Sequence, residues 1–284
     1  MAIGDFHTHS THSDGRLTPA QLAELAGRNG LQVMALSDHD NTAGLDEMAA
    51  ALHARGIRLV PAVELSTDIP GSEVHVLGYC MDTADPSFQR VLERFREGRI
   101  GRGMRMIEKL RGLGLDVSWE RVQEIAGDAS VGRPHVALHL LERGYVSSVA
   151  EAFDRYIGRN GPAYAEREKL TPVQAIEVIN SAGGMAVMAH PHLTPDHEAI
   201  LAELAQHGLA GMEVYYRDLD DGEVRRLLAI AERLKLLPTG GSDFHGLGNP
   251  GEREPGRIPL PDEAVERILE RGARCAQPFV AVPA

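Results

Sequence analysis

Short apolar runs alternate with amphipathic helical stretches along most of this chain, and several of the runs end in histidine or carboxylate residues. Early runs are "AIGDF", "VMALSD" and "IRLVPAVEL"; later ones are "MAVMAHP", "GLAGMEVYY" and "LPTGGSDFH". Helices are expected from Thr18 to about Asn29, from about Thr42 to Arg55 and from about Asp221 to Leu234. This βαβα rhythm predicts a parallel sheet covered by helices. Thr18-Pro19 and Thr171-Pro172 each read as an N-cap followed by proline at the first helical position, with glycine closing the helix. With 284 residues and 43% hydrophobic content, the chain can bury one large core, with or without an insert, and needs no disulfide.

From about Arg99 to Arg167 the rhythm changes to helical periodicity alone, as in "GMRMIEKLRGLG", "SWERVQEIAG" and "RPHVALHLLERG". The expected organisation is an α/β barrel formed by residues 1–98 and 168–284, interrupted by a helical insert at 99–167 that serves as a substrate-binding cap. The insert carries ten arginines and Lys109 against nine acidic residues, in a chain whose net charge is -12. Such acidity argues against extended coating of nucleic acid, which draws on clustered cations, but leaves a small anionic substrate open. Cys80 and Cys275 form no CxxC pair. The N-terminus lacks a signal-like pattern and no apolar run approaches the roughly 18 residues of a membrane span. A cytoplasmic location with reduced thiols and no membrane partner is the expectation.

Ligand-type residues gather where strands are expected to end. His7, His9 and Asp14 follow the first strand, His39 the second, and Glu64 ends the third; His75 lies in "EVHVLGY", His190 in "AHP", and Asp243 and His245 in "GSDFH". Residues at i and i+2 of a strand point the same way, so His7 with His9 and Asp243 with His245 form two-pronged chelates. Strand C-terminal ends in a parallel barrel converge on one mouth. Convergence of so many buried polar groups is costly unless they share a purpose. An all-nitrogen and oxygen donor set suits Mn, Fe(II) or Zn, and its carboxylate share leans toward Mn or Fe. Nine ligands exceed the needs of one ion, so two or three metals are expected, with Glu64 the candidate bridge. Asp38 and Asp40, flanking His39, are expected to orient imidazoles, while "STHS" reads as flexible spacing and His12 as a bystander.

In order and spacing, "DFHTHSTHSDG", "ALSDHDN", "VPAVELS", "EVHVLGY", "AHP" and "GSDFH" resemble the motifs of the PHP (polymerase and histidinol phosphatase) phosphoesterases. The resemblance implies a distorted (β/α)7 barrel with a trinuclear metal centre. It would place His7, His9, Glu64 and Asp243 on one metal, Glu64, His75 and His190 on a second, and Asp14, His39 and His245 on a third. Where this chain has Asp14, other branches often carry histidine, so the third site is expected to differ in affinity or metal preference. The helical insert with "GRPHVA" is similar to the branch that removes the 3'-phosphate from nucleoside 3',5'-bisphosphates, some members of which degrade short RNA from the 5' end.

The expected nucleophile is a metal-bridging hydroxide, with Asp243 and His190 as candidates to accept or relay the proton. "RIGRGMRM" places Arg99, Arg102 and Arg105 at an expected helix start, where free N–H groups favour an anion. "GRPH" does the same for Arg133 and His135, and Arg159 in "GRNGPAY" is a weaker candidate. The competing reading is a solvated helix face. Rival activities are a phosphatase of another small monoester such as histidinol phosphate, and an amidohydrolase-type C–N hydrolase. The latter typically needs a carboxylated lysine at a strand end, and neither Lys109, Lys169 nor Lys235 is so placed. A non-catalytic PHP module, of the kind attached to polymerases, is disfavoured because all nine ligand positions are filled.

Overall fold

The computed structural model describes residues 3–127, 129, 131–166, 170–217, 219–248 and 251–275. In chain order the elements begin β1 (Gly4–Asp5), α1 (Pro19–Arg28), β2 (Val33–Leu36), α2 (Leu45–His53), β3 (Arg58–Ile69) and β4 (Ser72–Tyr79). Four helices follow: α3 (Pro86–Gly112), α4 (Trp119–Ala126), α5 (Arg133–Glu142) and α6 (Val149–Ala152), which runs into a π-helical turn at Phe153–Ile157. The alternation then resumes with α7 (Pro172–Ser181), β5 (Met185–Met188), α8 (His197–Gln206), β6 (Gly211–Tyr215), α9 (Asp221–Leu234), β7 (Leu237–Gly240) and α10 (Asp262–Gly272).

Both Thr-Pro starts behave as the sequence predicts. Thr18 and Thr171 each accept the N–H of the third helical residue, and Gln21 and Gln174 accept back from the cap N–H, giving two capping boxes. The helix expected from Thr42 is shorter and begins at Leu45.

Seven strands lie side by side in chain order. Phe6 N–H donates to Gly240 O at 3.2 Å, Asp243 N–H donates to His7 O at 2.8 Å, and Thr8 bridges Phe244, so the first strand's extension meets the last and the barrel nearly closes. The expectation of a parallel sheet fails at β4, which runs antiparallel to both β3 and β5. Its link to β3 is only Pro70-Gly71, too short for the crossover that parallel pairing requires.

Strand alternation partitions the core. Val33 and Ala35, Val60 and Ala62, Leu77 and Tyr79, and Met185 and Val187 join one cluster together with Val265 and Ile268 of α10. Their neighbours point the other way: Met34 and Leu36 pack with α1 and α2, while Val63, Leu65, Ala186 and Met188 pack with α7 and α9.

The four-helix segment has a cluster of its own, from Met106 to Ala165, and contains no strand among the described residues. Helix α3 is continuous across residue 99, the expected start of the insert. At 100° per residue, Leu92, Phe95, Arg99, Arg102, Met106 and Leu110 share one buried face. One helix thus carries barrel-facing phenylalanines at its start and packs the four-helix cluster at its end.

Candidate metal centre

The backbone around the first motif is fastened from below. Asp5 accepts the N–H groups of His7 (3.2 Å), Ser242 (3.0 Å) and Gly256 (3.1 Å), tying the exits of β1 and β7 together. A Cβ at Gly241 would fall 2.5 Å from the His7 Cβ, so glycine is what lets these two segments approach. The "STHS" loop is held rather than flexible: Asp38 accepts from Ser10 N–H (2.7 Å), Ser10 Oγ (2.7 Å) and Ser13 Oγ (2.6 Å). That corrects the role expected of Asp38, which holds the hydroxyl-rich loop that delivers Asp14. Asp40 accepts instead from Arg99 Nε at 2.6 Å and from the Ser66 N–H at 3.2 Å. His12 stands outside the cluster, against Gly44 and 3.9 Å from Glu47.

Because β4 is reversed, its first half lies at the mouth. His75 pairs with Ser66, two residues beyond Glu64 on the same face of β3, and its Nδ1 lies 2.8 Å from Glu64 Oε1. His190 and Asp243 sit in the positive-φ region, at 28° and 49°, a conformation that costs non-glycine residues energy and is held at functional sites by the surrounding structure.

Three groupings emerge, each with ligand atoms within 4.8 Å of one another: His7, His9, Glu64 and Asp243; His39, Glu64 and His75; and His9, Asp14, His39 and His245. The first is the set expected for one metal. In the second, His39 converges with Glu64 and His75, while His190 reaches Glu64 Oε1 at 3.3 Å. The third adds His9 to the expected Asp14, His39 and His245. Glu64 belongs to two groupings, the position expected of a bridge.

The donor atoms themselves test whether metals fit. His7 Nε2 and His9 Nε2 lie 3.3 Å from Glu64 Oε2, and 3.3 and 3.2 Å from Asp243 Oδ1. Despite full burial, His7 Nε2, His9 Nδ1 and Nε2, Asp14 Oδ1, His39 Nδ1 and Glu64 Oε2 make no hydrogen bond. So many orphaned lone pairs aimed at common points are expensive in a protein interior and are explained by divalent cations.

Titration behaviour follows from the same crowding. Burial alone would raise Glu64, Asp14 and Asp243, yet the surrounding histidines hold all three well below the usual carboxylate range. Burial would lower His7, His190 and His245, but Glu213, Glu64, Asp14 and Asp243 raise them, His245 to about 10. His39 goes the other way: burial pushes it down to about 3, which leaves it neutral and able to ligate.

Sequence reasoning missed two polar residues that support the cluster. Glu213, buried on β6, lies 3.1 Å from His7 Nδ1 and accepts the His190 N–H at 2.7 Å, fixing a ligand ring and a ligand backbone together. Tyr216 donates its hydroxyl to Asp243 Oδ2 at 2.6 Å, leaving Oδ1 for His7 and His9. A lone acid inside "GMEVYY" was the available signal.

Beside the cluster lies a cavity of about 160 Å³ whose lining includes Asp14, His39, His75, Arg99, Arg102 and Arg133. Arg99 donates to Asp40 and to Ser66 Oγ (2.9 Å), and Arg133 donates to Glu73 at 2.5 Å. Arg105 does not join them. It is exposed and donates to Glu166 O at 2.7 Å, because it lies about 120° around α3 from Arg99 while Arg102 lies only about 60° away. The helix start expected there is also absent: Arg99, Arg102 and Arg105 are mid-helix, so their N–H groups are already used. Arg133 and His135 do open a helix, but His135 Nδ1 accepts the Gly132 N–H at 2.9 Å and so caps it. Arg159 donates to Asp68 at 2.9 Å.

A mixed seven-stranded barrel whose mouth gathers histidines and carboxylates with orphaned lone pairs defines a metal-dependent hydrolase. The PHP domain model matches residues 5–158. A 5'-3' exoribonuclease of Haemophilus influenzae is 34% identical over 85% of this chain and 89% of its own. A 3',5'-nucleoside bisphosphate phosphatase of Chromobacterium violaceum is 32% identical over 88% and 90%. The structure also superposes, with a TM-score of 0.86 and 31% identity, on a Bifidobacterium adolescentis protein described as a metal-dependent phosphoesterase, covering 95% of this chain and 96% of that one. The chain belongs to the PHP family and is a metal-dependent phosphoesterase. Among the described residues, no helix is long and apolar enough to cross a membrane.

Proposed function

We propose that the protein hydrolyses the 3'-phosphate of nucleoside 3',5'-bisphosphates, with Mn2+ at the nine-residue centre, and that short 5'-phosphorylated RNA is a second substrate of the same site. One observation carries the reading: a cavity bearing three arginines opens directly beside the ligand cluster, so an anion there is next to, but not at, the metals. A substrate with two phosphates needs that arrangement. The relatives named above, one a bisphosphate phosphatase and the other an exoribonuclease, support it.

His7, His9, Glu64 and Asp243 would hold one ion, and His39, His75, His190, Asp14 and His245 the others. Divalent ions so held supply Lewis-acid charge to the phosphoryl oxygens and bring the pKa of water down toward ~7. Arg102 and Arg133 bind the 5'-phosphate, with Arg99 locked to Asp40 behind them. Asp243, oriented by Tyr216, and His190, held at its backbone by Glu213, handle the proton that passes to the departing ribose oxygen. The helical segment from 99 to 167 acts as the cap that brings these arginines over the mouth.

The carboxylated lysine of amidohydrolase-type C–N hydrolases has no counterpart in the described site. Lys109 donates to Tyr164 O, Lys235 ends α9, and Lys169 lies outside the described residues.

The test is phosphate release by the Mn2+-loaded protein from nucleoside 3',5'-bisphosphates, 3'- and 5'-monophosphates, histidinol phosphate and short 5'-phosphorylated RNA. Bisphosphates are expected to give the highest kcat/KM. Release from none of the panel would sink the proposal. Arg133→Ala is expected to raise KM for a bisphosphate more than for a monophosphate, and equal effects would remove the arginine cavity from it.

A further inference from the structure

A second cavity, of about 490 Å³, opens against the cluster at Asp14 and His245, within the roughly 300–1,000 Å³ typical of small-molecule sites. It shares Asp14, Pro134 and Phe153 with the arginine cavity, but its remaining wall is of different character. Val149, Ala150 and Phe153 come from the helical segment, and Leu247 faces them from the loop after β7. That loop is fixed: the Glu252 carboxylate accepts from the N–H groups of His245, Gly246, Leu247 and Gly248 at 2.7–3.3 Å. The cleft therefore has two apolar sides on separate, well-held supports, and a polar floor at Asp14, Arg217 and His245.

Phe153 is the element common to both cavities. It opens the π-helical turn Phe153–Ile157, the kind of local irregularity that re-aims a side chain at functional sites. Arg133, which lines only the arginine cavity, has its guanidinium 5.3 Å from the Phe153 ring centroid. The ring thus divides an anion-binding compartment from an apolar one, with metal-ligand residues reaching both. A nucleotide has matching parts: two anionic groups and a flat, weakly polar base.

We infer that the apolar cleft is the nucleobase subsite and that Phe153 is its stacking platform, a specificity element resting on the bisphosphate reading above. The base stacks on Phe153 between the helical wall and Leu247, the 5'-phosphate reaches Arg102 and Arg133, and the 3'-phosphate faces the ligand cluster. Arg217 and Glu252 complete the lining, but the Glu252 carboxylate accepts the loop N–H groups and the Arg217 guanidinium donates to Asp243 O at 3.2 Å and lies 5.1 Å from the Tyr216 ring centroid, so the cleft accepts purines and pyrimidines by stacking strength rather than by edge recognition.

The experiment compares adenosine 3',5'-bisphosphate with a base-free analogue, methyl ribofuranoside 3,5-bisphosphate. Phe153→Ala should raise KM for the nucleotide about 5- to 140-fold more than for the analogue, equivalent to ~1–3 kcal/mol of stacking at 1.4 kcal/mol per tenfold. Phe153→Trp should restore most of the difference. Equal losses on both substrates would mean that Phe153 acts only by placing Arg133, and would overturn the base subsite. Equilibrium binding separates this from failure of the bisphosphate reading. Should the wild-type protein hydrolyse neither compound, AMP binding tighter than ribose 5-phosphate in the wild type but not in Phe153→Ala still supports the subsite, whereas equal affinities refute it.

Discussion

Glu213 touches the His7 ring and the His190 backbone at once, so a single carboxylate sets the tautomer of one ligand and the φ-strained position of another. Supporting carboxylates of this kind typically govern metal affinity by 10- to 100-fold. Glu213→Gln, which keeps size but removes the charge, is expected to weaken metal binding by about that factor, read by competition with a chromophoric chelator. Unchanged affinity would show that His7 orients itself. The nine candidate ligands stand out in sequence because the same residue types recur at strand ends, two pairs of them with i, i+2 spacing, and the structure brings eight of them into three groupings that could hold metal ions. Glu213 does not stand out, since one acid in an apolar strand is indistinguishable in sequence from an edge residue facing solvent. Asp38 was misassigned for a simple reason: it adjoins His39, and neighbours on an extended chain point in opposite directions, so Asp38 serves the serine loop.

Helix α3 shows what patterning can and cannot reveal about an element. Its apolar spacing is readable from sequence, but "RIGRGMRM" resembles a helix start while lying in a helix middle, which puts Arg105 on the exposed side. The Asp85-Pro86 signal thirteen residues earlier marked the true start, with Asp85 accepting from Ser87 and Phe88 N–H. The two glycines of that stretch differ in consequence. A Cβ at Gly103 would lie 2.5 Å from the Trp119 ring of α4, whereas at Gly101 the nearest atom is the flexible Arg105 end at 3.4 Å. Gly103→Ala should therefore destabilise by about 1–3 kcal/mol through overpacking, and Gly101→Ala should stabilise by up to about 1 kcal/mol through helix propensity. Chemical denaturation of the two variants decides it, and like-signed effects would show that α3 and α4 are not packed as described. The reversal of β4 was likewise present in sequence as Pro70-Gly71, a two-residue link between alternating runs. It was overlooked because "EVHVLGY" alternates identically in either direction.

Across the whole molecule the centre couples metal, protons and stability. In the metal-free protein the depressed carboxylates Glu64, Asp14 and Asp243 are balanced by protons on His7, His190 and His245. For His245 the folded value is raised from 6.5 to about 10, so its stabilising contribution is complete below pH 6.5 and is lost as pH rises toward 10. The carboxylates act in the opposite sense: folded values below the unfolded ones add stability above their usual range, and that stability is lost in acid. The metal-free protein is thus expected to have a Tm that declines from pH 7 to 10. Metals replace the histidine protons, so loading should remove that decline, and the gap between loaded and metal-free Tm should widen with pH. Proton release on metal uptake follows from the same linkage and should appear as a buffer-dependent heat in calorimetry. Parallel Tm profiles with and without Mn2+ over this range would mean that the histidine protons are not what the metals displace, and the orphaned lone pairs of His7, His9, Asp14, His39 and Glu64 would then need another explanation.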